Sequence, residues 1–344
     1  MKRRWLAPWK DSVERPVIYH CISRVVDRRF VLDEREREHF RMLMRMMENF
    51  SGCRVLSYCI MSNHFHLLLE VPPMPVGGIP DEELLKRLRA IYREGDVAEV
   101  AKELAEARRK VAEGVANEEV VARIHRRYIH RMHDLSEFMK TLLQRFTRWF
   151  NRVHERSGTL WEERFKSVIV ESGIAARTMA AYIDLNPVRA GMVADPAEYR
   201  WSSYGEAIGG GPRGNGKKAR EGLVRACLSH EKTGFEAGMW SEVGEVYRKV
   251  MGMALERTGG RAKGEEESGG LKSALHLGDM LRHRVRYFTD GAVIGSKAFV
   301  NEAFGAARER FTAQRKDGAR RLRGSGKPAS GVLWSARDLR VGIG

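Results

Sequence analysis

The chain has 344 residues, 43% of them hydrophobic, enough to fill the cores of two domains. Its 61 Lys and Arg against 45 Asp and Glu leave a net charge of +16, which points to a polyanionic partner: nucleic acid or an anionic membrane surface. No run approaches the roughly 18 apolar residues that span a bilayer, and no apolar stretch follows the basic start MKRRWLAPWK, so nucleic acid is favoured.

Residues 17–25, VIYHCISRV, read as a strand. A helix is expected over 33–52, with acids in its first turn and Gly52 near its end. RVLSYCIM (54–61) is a second strand, Ser62 and Asn63 a two-residue turn, and HFHLLLEV (64–71) a third strand. The loop PPMPVGGIP leads into a charged stretch from Asp81 to about Ala116, read as a solvated helical insertion. Residues 134–156 form an amphipathic helix whose Phe138, Leu142, Phe146 and Phe150 recur every four positions. RFKSVIVES (164–172) is a fourth strand, and a helix runs from about Ile174 to Asn186. The order β-α-β-β-α-β plus a last helix predicts an α+β fold: an antiparallel sheet with helices on one face and the other face open.

Beyond Trp201 the composition changes. Residues 207–222 read as a Gly- and Lys-rich linker. A basic, mainly helical region follows over 223–344, with a possible helix-turn-helix near 276–305. From Gly209 onward 26 Lys and Arg stand against 15 Asp and Glu, so +11 of the +16 lies there. The four cysteines, Cys21, Cys53, Cys59 and Cys227, form no CxxC pair, which gives neither a zinc knuckle nor a disulfide framework and implies a reduced, cytoplasmic setting.

Alternation in the third strand turns Phe65, Leu67, Leu69 and Val71 toward a core and His64, His66, Leu68 and Glu70 the other way. Two imidazoles on one face lie about 6–7 Å apart along the backbone, close enough to share a metal ion. Alone, the pair fits packed or surface histidines equally well. In AAYIDLNPVRAG (180–191), Tyr182 and Asn186 project from one helix face, and Pro187 ends the helix at Asn186. Singly, Tyr182 reads as a half-buried helix aromatic and Asn186 as a C-terminal cap.

Together HFH, LWEERFKSVIVES and YIDLNPVRAG resemble the HUH single-tyrosine transposases, in the IS200-like branch that includes REP-associated tyrosine transposases. The resemblance covers residues 1–206, interrupted by the helical insertion near 75–132. It implies a ferredoxin-like or RRM-like sheet, a divalent ion (Mg2+ or Mn2+) on His64 and His66, Tyr182 as nucleophile and Asn186 as third ligand, where relatives often carry Gln. The implied chemistry is cleavage and rejoining of single-stranded, hairpin-bearing DNA through a covalent 5′-phosphotyrosine, by a monomer or a homodimer. Basic and aromatic side chains suited to that strand are Arg24, Arg28, Arg29, Trp161, Arg164 and Lys166, with Arg320, Arg321 and Arg323 in a basic tail. Two other readings stand beside it. One is a domesticated DNA-binding regulator on the same fold. The other is a cupin-type metalloenzyme, because His64, His66 and Glu70 satisfy HxHxxxE; but a cupin needs a barrel of many strands.

Overall fold

The computed structural model describes residues 6–209, 216–228, 239–255, 288–289, 291–310, 316–322 and 333–336. Strands β1 (Val17–Arg24), β2 (Arg54–Ile60), β3 (His64–Val71) and β4 (Lys166–Val170) lie in the order β2-β3-β1-β4, every neighbouring pair antiparallel. Helix α1 (Glu34–Ser51) connects β1 to β2. Between β3 and β4 stand α2 (Asp81–Arg89), α3 (Glu94–Ala112), α4 (Glu119–Ile129) and α5 (Leu135–Val153). Without α2–α4 this is the expected ferredoxin-like arrangement. Among the described residues the strands form this sheet and no cupin barrel.

Local chemistry accounts for the two sheet-packing helices. Asp33 and Glu36 close a capping box at the start of α1, and Gly52 ends it in a left-handed conformation at φ 72°. That positive φ favours glycine, and any Cβ there would also have to displace the side-chain ends of Arg87 and His133, at 2.6 and 2.7 Å. Asp134 caps α5 by accepting from Glu137 N at 2.8 Å. The stripe Phe138, Leu142, Phe146 and Phe150 is buried, as its spacing predicts. Phe40 of α1 meets Phe146 of α5 and Phe65 of β3, with ring centroids 5.1 and 4.6 Å apart.

The insertion is helical but less solvated than its composition suggests. Leu84, Leu88, Val97, Leu104, Val121 and Ile124 are buried and join the core of the sheet and its helices.

The second face of the sheet is not open. Helices α6 (Ile174–Asp184), α7 (Asn186–Arg189), α8 (Ser203–Gly209), α9 (Lys217–Cys227) and α10 (Trp240–Leu255) gather on that side. Residues 175, 176 and 178–184 of α6 are all buried, the mark of a helix enclosed on every side. Its alanines permit close approach, and Ser57 Oγ of β2 reaches Ala180 O at 3.5 Å. Helix α9 also lies on β2: a Cβ at Gly222 would fall 2.4 Å from Val55 O. The expected linker over 207–222 is therefore structured at its end, where Lys217–Gly222 belongs to this docked helix.

Later residues extend the same sheet. Strand β5 (Val293–Gly295) runs parallel to β4, and β6 (Arg320–Arg321) and β7 (Trp334–Ala336) continue the order as β5-β7-β6. The helix-turn-helix expected near 276–305 falls partly outside the described residues, at 276–287 and 290. Where its Gly-containing turn was expected stands β5, followed by α11 (Lys297–Ala306). Ser296 caps α11, and Glu171, one residue beyond β4, accepts from Ser296 N at 2.6 Å. Among the described residues no helix is long and apolar enough to cross a membrane.

Candidate active site

The β1–β3 register pairs Arg24 with His64, Ile22 with His66 and His20 with Leu68. Directly paired residues share a face, so His20, Arg24, His64 and His66 lie on one side of two adjacent central strands. Helix α6 brings Tyr182 down onto that side. Its ring centroid stands 6.3 Å from His66 and 6.4 Å from His20, edge-on to both. His64 and His66 have centroids 5.1 Å apart, and His20 lies edge to edge with His66, their planes 16° apart and centroids 5.2 Å apart. His64 is half-buried, whereas His66 is 4% exposed and Tyr182 1%. The ring of Phe288 covers Tyr182 at 4.7 Å.

Two imidazoles in this cluster are held neutral. Burial lowers the pKa of His20 from 6.5 to about 4. Burial and then the neighbouring charges of His64, His20, Arg189 and Arg24 hold His66 well below its ordinary value. His20 Nδ1 lies 2.7 Å from Phe288 O, and its Nε2 lies 3.0 Å from His66 Nδ1. His64 Nδ1 is 2.6 Å from Asn63 Oδ1.

Asn186 follows from Pro187. A proline has no N–H for the carbonyl four residues back, and the Asn186 side-chain amide supplies the missing donor to Ile183 O at 3.1 Å. The helix therefore continues past Asn186 as α7 after a short break at Leu185. Asn186 Oδ1 accepts from Arg189 Nη2 at 2.8 Å, and that guanidinium also reaches Tyr182 O and lies 4.1 Å over the Tyr182 ring. The amide oxygen is thus tied to Arg189 rather than turned toward the histidines.

The expected strand-binding side chains separate into three groups. Arg24 is half-buried, and Arg28 and Arg29 are exposed in the loop after β1. That loop is fastened to the turn before His64: Val25 N donates to Asn63 O, Leu32 N to Ser62 O, and Asn63 Nδ2 to Arg28 O. Arg164 and Lys166 are exposed near the start of β4, where Lys166 pairs with Ile22. Arg320 and Arg321 are exposed on β6, five strands from β3, about 24 Å at ordinary strand spacing, and so stand apart from the histidine cluster. Arg323 lies outside the described residues.

Trp161 does not offer its face to a base. It is buried among Phe40, Phe65 and Phe146, and its indole N–H donates to Thr147 Oγ1 at 3.0 Å. The exposed aromatic at this end is Phe30, 76% exposed beside Arg28 and Arg29. Glu70 is fully buried, not solvent-facing, and is held by Arg225 and Arg54 at 2.9 and 3.0 Å, which removes the third ligand of the cupin pattern.

Sequence reading missed His20, Phe30 and Asp184. His20 was accessible through alternation, since His20, Ile22 and Arg24 share a face once the register is set. Phe30 carried no pattern. Asp184 is the lone acid of a mostly apolar helix whose one other charge is Arg177. Burial raises its pKa to about 7, and it accepts from Tyr204 N at 3.0 Å and Tyr247 Oη at 2.6 Å.

Among the described residues no three His, Cys, Asp or Glu side chains are grouped as a metal site. Two adjacent imidazoles, each engaged at Nδ1 by a protein group, are nonetheless a donor set that fits one divalent ion at Nε2. Residues 15–76, which hold β1, β2 and β3 with both histidines, match the family model described as "Transposase IS200 like". This is the family that the motifs resemble. Among solved structures, the chain is similar to a REP-associated tyrosine transposase bound to a REP hairpin. Identity is 11% over 61% of this chain and 84% of that one, with a TM-score of 0.37. A likeness of that size carries no inference about chemistry. No curated protein matches the chain.

Proposed function

From an IS200-like transposase segment over residues 15–76, we propose that this protein cleaves and rejoins single-stranded, hairpin-bearing DNA, with Tyr182 as nucleophile beside the His64–His66 pair. The observation that carries the reading is the meeting of Tyr182, from a helix outside the matched segment, with His66, whose ring neighbours that of His64 on the same sheet face. In this reading residues 1–206 form the HUH domain with its insertion near 75–132, and residues 223–344 form a second, basic region.

The Tyr182 oxygen attacks the scissile phosphorus, the bond to the 3′-oxygen breaks, and that oxygen leaves as a 3′-hydroxyl after taking up a proton. The product is a 5′-phosphotyrosine that keeps the phosphodiester's energy for rejoining. At an ordinary pKa near 10, about one phenol in a thousand is ionised at neutral pH. Arg189 lies 4.1 Å over the ring and donates to the Tyr182 carbonyl, a contact that does not run through Asn186. His64 and His66 would hold Mg2+ or Mn2+, with Asn186 as third ligand once released from Arg189. Such an ion supplies Lewis acidity to the scissile phosphate. A DNA strand reaches Tyr182 only with Phe288 moved aside. Arg24, Arg28, Arg29, Arg164 and Lys166 serve its phosphates, and Phe30 offers a stacking face.

The test is incubation of the full chain with end-labelled hairpin-flanked single strands and Mn2+, followed by a denaturing gel. Wild type should give a protein–DNA conjugate, and Tyr182→Phe should bind the hairpin without forming one. A conjugate that persists in Tyr182→Phe removes Tyr182 from this role. Binding by wild type with no conjugate favours the DNA-binding regulator.

A further inference from the structure

The hydrogen bonds around the histidine pair determine which ring nitrogen carries each proton. A backbone carbonyl can only accept, so His20 Nδ1, 2.7 Å from Phe288 O, is protonated. His20 is fully enclosed, and in a neutral imidazole the second nitrogen is then a lone pair. His20 Nε2 therefore accepts, and the proton in its 3.0 Å bond to His66 belongs to His66 Nδ1. His66 Nε2 is left with the lone pair.

A separate chain of bonds reaches His64. Arg28 O, also a carbonyl, takes its 3.0 Å hydrogen bond from the amide nitrogen of Asn63. That fixes the Asn63 side chain, so its oxygen is the atom 2.6 Å from His64 Nδ1. An amide oxygen only accepts, and His64 Nδ1 carries a proton whatever the ring's charge.

Resting on the histidine-pair reading above, we infer that His20 and Asn63 are positioning residues which fix His66 and His64 as Nδ1-protonated tautomers, so that both rings present Nε2 to a shared ligand. Ligating histidines commonly have their other N–H anchored in this way, which sets both ring orientation and basicity. Here one anchor is a third histidine from the adjacent strand and the other is the turn residue immediately before β3. Neither touches the ligand.

The inference is tested on the metal-free full chain by 15N NMR of labelled histidines, which distinguishes Nδ1–H from Nε2–H rings. Wild type should show Nδ1–H at both His64 and His66; an Nε2–H form at His66 overturns the relay without any variant. His20→Phe keeps an aromatic ring at this position but removes the acceptor, so His66 should lose its single tautomer while His64 keeps its own. Mn2+ affinity, by titration calorimetry, should fall about 10- to 100-fold. His20→Gln, which returns an acceptor oxygen, should recover part of both signals. An unchanged His66 tautomer in folded His20→Phe refutes the inference. Correct tautomers without Mn2+ binding would sink the metal reading while supporting the relay; mixed tautomers with intact DNA cleavage would do the reverse.

Discussion

Arg225→Ala should unlatch the C-terminal helices from the histidine strand. Glu70 closes the same face of β3 that begins with His64 and His66, and its carboxylate is fully buried. Arg225 of α9 engages both of its oxygens, while Arg54, about half exposed, reaches only Oε1. Removing Arg225 leaves Oε2 without a donor and the charge with one weakly held partner. Breaking a buried pair from one side costs about 3–5 kcal/mol, and the surviving Arg54 contact places this case near the lower figure. Against a total stability of about 5–15 kcal/mol, that is a large fraction. Urea denaturation followed by circular dichroism should show the midpoint falling. Hydrogen exchange should show β2 and α9 losing protection first, because that helix lies on that strand. The double variant Glu70→Gln/Arg225→Ala removes the stranded charge and should recover more than half of the loss. A single variant within about 0.5 kcal/mol of wild type, or a double variant no better than the single, refutes the argument that the buried carboxylate makes α9 indispensable.

Asp184 gives a pH signature. Its pKa is raised by burial from 3.8 to about 7, so the folded state holds a proton that the unfolded chain releases. Its contribution is complete below pH 4 and is lost as pH rises toward 7. The stability of Asp184→Asn relative to wild type should improve by up to about 4 kcal/mol over that interval, and a pH-independent difference rejects the assignment. Phe30→Ala should weaken single-stranded DNA binding by about 1–3 kcal/mol, one stacked base, with no change in melting temperature. Trp161→Phe should do the opposite, lowering stability through the lost Thr147 bond while leaving affinity intact; fluorescence anisotropy with a labelled oligonucleotide separates the two.

The legible and illegible parts of this chain differ in where their information lies. The four central strands, α1 and α5 carry their signals locally: period-two alternation in β3, four-residue spacing in α5, and acid and glycine punctuation around α1. The antiparallel sheet and the shared face of His64 and His66 followed from these; Tyr182 came to that pair only through the family resemblance, because the element order left the histidine face open. Trp161 shows the limit of composition. A tryptophan next to arginines looks like a stacking platform, but the three phenylalanines that enclose it come from α1, β3 and α5, and no window of sequence contains them together. Burial of Glu70 depends in the same way on Arg225, 155 positions away.

The covered second face is the more instructive difference, because its signal was present. A β-α-β-β-α-β order supplies helices for one face and says nothing of what comes after. Yet IAARTMAAYID carries only two charges, Arg177 and Asp184, in three turns, and a helix so largely apolar around its circumference must be enclosed. The sheet face that carries the histidines was a surface such a helix could cover. The same alanines that let α6 lie against β2 place Tyr182 next to His66, so enclosure of that face and assembly of the candidate site are one event. An open sheet would have left Tyr182 nothing to approach.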